Sequence, residues 1–165
     1  SAGIALFGSK YPLFKVAELA GEAESSAKKY RNSTKNAISF LGNPVKWNDF
    51  EIMSKNLVKQ WITDLDTKLM HRSLLRTMQE LYQDFAKGQA ILDLTDEYIK
   101  QNRYKPWRWH AAYKLQRDAQ QYSKYRVQIE TLKQYLFANT LQTEKEPLLI
   151  LQTASLWADL LTRKK

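Results

Sequence analysis

No cysteine occurs among the 165 residues of the chain, which excludes disulfide bonds, cysteine-ligated zinc sites and thiol chemistry. Long apolar runs are also missing, since none approaches the ~18 residues of a membrane-spanning helix. The first residues lack the charged and then apolar pattern of a secretory signal. We therefore expect a soluble protein of the cytoplasm, whose reducing conditions suit a chain without cysteine, and no membrane partner.

Glycine is scarce beyond the first quarter of the chain. Four of the five glycines lie within residues 1–42, and only Gly88 follows them. This change in composition predicts a domain boundary near Gly42-Asn43-Pro44. It divides the chain into a segment 1–42 and a segment 43–165.

Segment 1–42 has the pattern of a strand, a helix and a second strand. Residues 1–7 form a short and mostly apolar run that Gly8 follows, which is typical of a buried strand. Pro12 is typical of a helix start, and residues 36–42 predict the second strand. Small and apolar side chains recur after Pro12 at helical spacing, which permits close packing on a sheet: Leu13, Val16, Ala17, Ala20, Ala23 and Ala27.

Segment 43–165 has the pattern of helices alone. Asn48 with Glu51 and Thr143 with Glu146 have the spacing of N-terminal capping pairs. Apolar residues recur at helical spacing in four stretches: 58–69, 74–85, 122–136 and 148–161. The last stretch is apolar nearly all round, which is typical of the central helix of a bundle. The sequence therefore predicts a mainly α fold, in which a short strand-helix-strand piece precedes an α-helical bundle.

The net charge of +9 is concentrated in one short stretch. Residues 100–126 hold eight basic side chains against the single acid Asp118, for a local net charge of +7. Such a concentration favours a polyanionic partner. The alternative is a solvated, lysine-rich surface that only keeps the protein in solution.

Aromatic rings alternate with cations in the same stretch, a pattern typical of surfaces that stack bases and neutralise phosphates. We expect a nucleic acid or a protein partner to contact six basic residues: Arg103, Lys105, Arg108, His110, Lys114 and Arg117. In a helix that begins at Pro106, the last three share one face. About half of four rings should then be buried: Tyr104, Trp107, Trp109 and Tyr113. The alternative is that the rings form core and the cations only surround it.

Three motifs in segment 1–42 resemble the end of a GGDEF-like nucleotide cyclase or palm domain. Ser1-Ala2-Gly3-Ile4-Ala5 resembles the S-x-G-I-A strand that follows the metal-binding hairpin of that fold. Residues 20–28, with Ala20-Gly21-Glu22-Ala23 and Ala27-Lys28, resemble its A-D-x-A-x-x-x-A-K helix. Lys35-Asn36, ahead of a strand, resembles its closing G-R-N-x-V motif.

Departures from diguanylate cyclases indicate one branch of that fold. Gly21 replaces the usual Asp, Ser25 replaces the usual Tyr, and the turn 29–34 is longer. Together with Tyr11-Pro12-Leu13 and the run 18–24, these features resemble the second palm domain of the large subunit of type III-A CRISPR RNA-guided effector complexes.

Segment 43–165 is similar to the C-terminal helical domain of the same family. Gly42, Pro44, Trp47 and Phe50 resemble its G-x-P-x-x-W-x-x-F entry. Lys105-Pro106-Trp107 with Ala112-Tyr113-Lys114-Leu115-Gln116-Arg117, and the Leu-rich helix that ends at Arg163, also fit the family.

The resemblance implies a C-terminal fragment of that subunit, with the end of a ferredoxin-like, GGDEF-like palm domain in 1–42 and a helical bundle domain in 43–165. It implies a structural role with other subunits, guide RNA and target RNA as partners. The intact parent would synthesise cyclic oligoadenylate from ATP with Mg²⁺ or Mn²⁺, and would cleave single-stranded DNA when target RNA binds.

The resemblance also implies roles for two lysines. In GGDEF-like folds the lysine of the A-K pair and the basic residue of the closing motif contact the terminal phosphates of the nucleotide. These roles fall on Lys28 and Lys35, since cations beside a triphosphate offset charge that the metal ions leave. The alternative is two ordinary surface lysines, of which Lys28 suits the dipole at a helix end.

Residues for catalysis are not recognisable in the chain. Nucleotidyl transfer in this fold needs paired acids on a hairpin that holds two metal ions, and in the family that G-G-D-D hairpin precedes the strand formed here by residues 1–5. His71, predicted at a helix start, and His110 have no second ligand at metal spacing. Asp64 and Asp66 are two apart and point different ways on a helix. We expect the fragment alone to be inactive and to hold no metal or cofactor.

Two other interpretations remain open. A truncated GGDEF-type nucleotide cyclase with an appended helical regulatory domain would carry Asp at the position of Gly21. An unrelated helical RNA-binding module would make the match in segment 1–42 coincidental.

Overall fold

Residues 1–46 form a three-stranded sheet with one helix against it. In the computed structural model, which describes residues 1–30, 35–93, 106–137 and 145–163, the chain passes in order through β1 (Ala2–Ile4), α1 (Leu13–Lys29), β2 (Ala37–Phe40) and β3 (Asn43–Lys46). Strand β1 runs parallel to β2, with Ala2 opposite Ile38, and β3 runs antiparallel to β2. The predicted strand-helix-strand order is confirmed, but the prediction of a buried strand over residues 1–7 is wrong, because β1 has three residues and Ile4, Leu6 and Phe7 are exposed. We call residues 1–46 the sheet region.

Strand β3 is an addition to the prediction, which made the chain helical from residue 43. The connection from β2 is a two-residue turn, in which Leu41 and Gly42 both have positive φ, 51° and 78°. Such turns match the twist of a hairpin. Pro44 is tolerated because β3 lies at the edge of the sheet, where a missing N–H leaves no ladder bond unmade. The prediction failed because Asn43-Pro44 was taken as a break between domains.

Helix α1 approaches β1 at Gly3. A Cβ atom at Gly3 would lie 2.3 Å from the backbone nitrogen of Glu24 and 2.5 Å from the carbonyl carbon of Ala23, closer than any side chain tolerates. The buried Ala27 lies on the same helix. The predicted close packing of small residues is therefore confirmed around Ala23 and Ala27, and the fit depends on glycine. It is wrong for the start of the helix, where Leu13 and Ala17 are exposed.

Residues 47–163, which we call the helical region, follow the sheet without a spacer. The elements are α2 (Trp47–Ile52), a π-helical segment (Met53–Val58), α3 (Lys59–Asp66), α4 (Arg72–Asp93), α5 (Pro106–Gln121), a 3₁₀ turn (Ser123–Tyr125), α6 (Arg126–Phe137) and α7 (Lys145–Thr162). Lys46, not Asn48, stands before α2, and no side chain caps that helix. The second predicted capping residue, Thr143, lies outside the described residues.

Helix α7 is the central helix, as predicted. It contacts α4, the π-helical segment, α3, α6 and β3. Its Thr153 is fully buried and satisfies its hydroxyl by donating to the carbonyl oxygen of Leu149 at 2.8 Å. The mainly α fold with a small sheet at its start is therefore confirmed.

One aromatic cluster joins the two regions. Phe40 from β2 meets Trp157 from α7 with ring centroids 4.8 Å apart, and Phe50 from α2 stacks on Trp157 at 5.4 Å. We call Phe40, Phe50 and Trp157 the aromatic junction. Beside it, Leu149 packs on Ile38 and Val45 of the sheet. Two residues of the entry motif, Gly42 and Phe50, thus form the turn of the hairpin and part of the junction.

No helix in the described part of the chain combines the length and the apolar character that crossing a bilayer requires.

Candidate functional site

Helix α5 carries four of the six basic residues predicted as an interface. Its buried side faces the core, where Trp107, Ala111 and Leu115 are almost fully covered and the Trp107 ring meets Phe85 edge-on at 6.2 Å. The other two predicted residues, Arg103 and Lys105, lie outside the described residues.

The opposite side of α5 exposes two large rings. Trp109 is 75% exposed and Tyr113 is 67% exposed, and their spacing of four residues places them on one face. The Arg117 guanidinium lies over the Tyr113 ring, 5.9 Å from its centroid. We call Trp109, Tyr113 and Arg117 the aromatic face. Of the four rings in the predicted stretch, Trp107 is buried and these two are exposed, while Tyr104 lies outside the described residues.

Arg108 borders the aromatic face on its other side. Its guanidinium carbon lies 5.8 Å from the ring centroid of Trp107, and the side chain is partly buried. Together with Trp109, Ala112 and Phe137 it lines a shallow depression of about 400 Å³. Arg108 therefore adds a cation at the border between the buried ring and the exposed one.

His110 and Lys114 point towards α4. The Nδ1 atom of His110 lies 3.1 Å from Oδ2 of Asp84, and the Lys114 ammonium donates to the carboxylate of Glu80. Arg76 pairs with the same Glu80 at 3.2 Å. These contacts form a polar ladder between α4 and α5, whereas Arg117 remains beside Tyr113. The three basic residues that share one face by spacing thus have different neighbours: His110 and Lys114 meet acids of α4, whereas Arg117 lies beside Tyr113 and 4.0 Å from Asp118 of its own helix.

The polar ladder lowers the pKa of Glu80. The hydrogen bond from Lys114 lowers the pKa of the Glu80 carboxyl below its ordinary value, and it outweighs the opposing effect of desolvation. The charges of Lys114 and Arg76 act in the same direction as that hydrogen bond. The carboxylate therefore stays ionised to lower pH than a free glutamate.

Lys28 and Lys35 lie at the end of the sheet where β1 and β2 begin. Lys28, near the end of α1, pairs with Glu24 one turn earlier at 2.8 Å, and both side chains are about half exposed. This hydrogen bond is the main reason that the pKa of Glu24 is lowered. Lys35 is exposed, has a positive φ of 51°, and accepts a hydrogen bond on its carbonyl oxygen from the Ser1 amine at 3.0 Å. An apolar cavity bordered by Leu6 lies at the opposite end of the sheet.

In the described part of the chain, no three His, Asp or Glu side chains come together as a metal site would require. His71 stands directly before α4, as predicted, where its Nδ1 accepts the Ser73 backbone N–H at 3.3 Å. Its ring also stacks on Tyr122 at 5.9 Å. These contacts give His71 a structural role at the start of the helix.

Sequence reasoning missed a groove between α3 and α6. Its volume is about 340 Å³, and Asp64 from α3 and Gln128 from α6 both line it. Asp64 is buried while Asp66 is exposed, so the two do point different ways. The sequence indicated that Asp64 and Asp66 point in different directions. It could not show which of the two carboxylates faces inward, because that depends on how α6 packs against α3.

Comparison of the chain with protein-family models, with curated proteins and with solved structures gives no match in any of the three.

Proposed function

We propose that the chain binds single-stranded RNA through α5, as an RNA-facing structural part of the large subunit of a type III CRISPR antiviral effector complex. The aromatic face supports this most directly. Two rings open to water, one helical turn apart and beside a guanidinium, have the composition of a base-stacking surface. The resemblance in sequence supplies the assignment to the CRISPR complex.

The contacts of α5 suggest two different roles for its basic residues. Arg108 and Arg117 flank the exposed rings and are the members we assign to phosphate contacts. His110 and Lys114, which meet Asp84 and Glu80, hold α5 against α4. The rings are thereby carried on a helix fixed on its other side, so little freedom is lost when a base stacks on them.

Other subunits, guide RNA and target RNA are the proposed partners. Apolar side chains exposed on the sheet region provide a surface for subunit contacts: Leu6, Phe7, Leu13 and Phe14. The proposed intact parent synthesises cyclic oligoadenylate from ATP with Mg²⁺ or Mn²⁺ and cleaves single-stranded DNA on target RNA binding. The residues present here are proposed to be inactive alone.

Lys28 and Lys35 are proposed to contact ATP phosphates in the intact parent. Both are exposed, and the Lys28–Glu24 pair lies in water, where opening an ion pair costs little. Lys28→Ala in the parent should slow oligoadenylate synthesis while the complex still assembles. An unchanged synthesis rate would remove this role and leave the exposed-lysine alternative.

RNA binding by the whole 165-residue chain tests the main proposal. The probe is a fluorescently labelled oligouridine of twelve nucleotides, followed by anisotropy. Trp109→Ala and Tyr113→Ala should each weaken binding by about 1–3 kcal/mol, which is roughly 5- to 150-fold. Phe14→Ala is the matched control, because this ring is 70% exposed on α1, away from α5. Equal affinities for the wild type and the two α5 variants would contradict the proposal.

Salt dependence tests the phosphate contacts separately. Each contact to a single strand contributes a slope of about 0.7 in log affinity against log salt. The double variant Arg108→Ala/Arg117→Ala should therefore flatten the slope by about 1.4 if both residues make contact. Melting temperature serves as the control, since Arg108 is partly buried and its stem packs in the protein. A slope equal to that of the wild type would assign these cations to the solvated-surface alternative.

A further inference from the structure

The groove between α3 and α6 has the size of a small-molecule site. It encloses about 340 Å³, within the roughly 300–1,000 Å³ that such sites occupy. Leu57 and Trp61 form the wall on the side of α3, and Leu132 and Tyr135 form the wall on the side of α6. We call this space the α3–α6 groove.

A buried carboxylate faces the α3–α6 groove. Asp64 is only 4% exposed, and its Oδ1 accepts one hydrogen bond, from the neutral amide of Gln60 at 2.9 Å. No described Lys, Arg or His forms an ion pair with it, although Glu80, Asp84 and Asp159 each have a basic neighbour. Buried charges in proteins are normally paired or bound to a ligand. Asp64 also lies in the last turn of α3, where the helix dipole disfavours a negative charge.

A second buried acceptor lies in the same groove. The side-chain oxygen of Gln128 is covered and has no hydrogen-bond partner in the described part of the chain. Among the described residues that line the groove, none is Lys, Arg or His. Two acceptors, one of them a carboxylate, thus share a space in which the described part of the chain supplies no cation, so a cationic hydrogen-bond donor would satisfy both.

The rest of the α3–α6 groove fits an apolar body. Leu57 and Leu132 are aliphatic, and the largely buried ring of Trp61 is the kind of surface that attracts a cation through its π face. Leu57 belongs to the π-helical segment Met53–Val58. Single π-helical turns frequently occur where helices form binding sites.

We propose that the α3–α6 groove binds a small organic cation, which consists of an ammonium or guanidinium group on an apolar body. The cationic group donates to the free lone pairs of Asp64 and to the Gln128 oxygen. The apolar body packs between Leu57, Trp61 and Leu132. This inference is independent of RNA binding, because the groove and the aromatic face lie on different helices.

The test uses the 165-residue chain and phenethylammonium as the probe, with titration calorimetry and amide chemical shifts as readouts. We expect saturable binding with shifts in 56–64 and 127–135. The neutral analogue 2-phenylethanol should bind at least about tenfold more weakly, since hydrogen bonds to charged groups contribute about 1.5–3 kcal/mol.

Asp64→Asn should weaken phenethylammonium binding by about tenfold or more, because it keeps the shape and an acceptor oxygen but removes the charge. Asp66→Asn is the matched control, two residues along the same helix and exposed. Gln128→Leu supplies a second variant if Asp64→Asn fails to fold. It should weaken binding at unchanged melting temperature.

Three results would overturn the proposal. Equal binding of the amine and the alcohol would show an apolar pocket without a cation site. An effect of Asp66→Asn as large as that of Asp64→Asn would show nonspecific attraction. Tighter binding of the peptide acetyl-Ala-Lys-Ala-amide than of the free amine would assign the groove to a partner's side chain.

Discussion

The sheet region and the helical region bury their residues in different ways. Helix α1 meets the sheet through Gly3 and small alanines and leaves Leu13 and Phe14 in water, at 83% and 70% exposure. The helical region instead buries long side chains such as Leu74, Met78 and Leu81 around α7. The sheet region therefore depends on close backbone approach and on the aromatic junction, while the helical region has its own apolar core.

Phe40→Ala should have the largest effect, because it removes the ring through which the sheet meets Trp157 and Phe50. We expect a loss of about 3–5 kcal/mol in the free energy of unfolding, the usual cost of deleting a buried phenylalanine. Urea unfolding measures it. Phe14→Ala, which deletes an exposed ring of the same type, should change stability by no more than about 0.5 kcal/mol. Equal effects would mean that the junction does not hold the two regions together.

Gly3→Ala should have a smaller and more local effect. The new Cβ meets the backbone of α1 at Glu24 and Ala23, so the helix must move away from β1. A cost of about 1–3 kcal/mol is typical of such overpacking. Amide hydrogen exchange should quicken in 1–29 and stay slow in 74–85.

Gly21→Ala is the matched control for Gly3→Ala. It lies in α1, the helix that a Cβ atom on Gly3 would meet, and an added Cβ atom at Gly21 meets open space. Alanine in a helix interior should raise stability by about 0.5–1 kcal/mol relative to glycine. If both substitutions destabilise equally, the close approach at Gly3 does not limit the packing of the sheet region.

Glu80→Gln should have the smallest effect, within the helical region alone. The pKa of Glu80 is lowered in the folded protein, so its stabilising contribution is present above the unfolded value of about 4.3 and is lost as pH falls through the folded value. The wild type should exceed the variant by less than about 1 kcal/mol at pH 7, because the pair is partly exposed. The difference should shrink towards pH 3. Chemical unfolding at several pH values measures it, with the exposed Glu18→Gln as the control.

An element could be predicted from the sequence when the residues that specify it lie within the element itself. The stretches 74–85 and 148–161 repeat their apolar residues over several helical turns, so α4 and α7 were predicted without knowledge of their neighbours. Strand β3 is only four residues long, and its hairpin requires a positive φ at Leu41. Leucine rarely adopts a positive φ, so the sequence did not indicate this turn.

The candidate interface was predictable only in part for the same reason. Spacing along α5 indicated that some rings would be buried and others exposed, and Trp107 and Trp109 show both outcomes. The partners of His110 and Lys114 lie 26 and 34 residues earlier in the chain, on α4. Contacts of that range arise from the packing of two helices, so spacing within one helix could not identify them.

The π-helical segment sets the rotational phase between the two helices that it joins. Helix α2 carries Phe50 into the aromatic junction, and α3 carries Asp64 into the groove, within one continuous helical run. Each residue of an α-helix turns the chain by about 100°. A π-helical turn closes i→i+5 hydrogen bonds and therefore turns less per residue, so the angle between Phe50 and Asp64 depends on both the length and the π-helical winding of Met53–Val58. The length of this run is consequently a constraint on the chain apart from its composition, and it couples the attachment of the sheet to the shape of a cavity on another side of the protein.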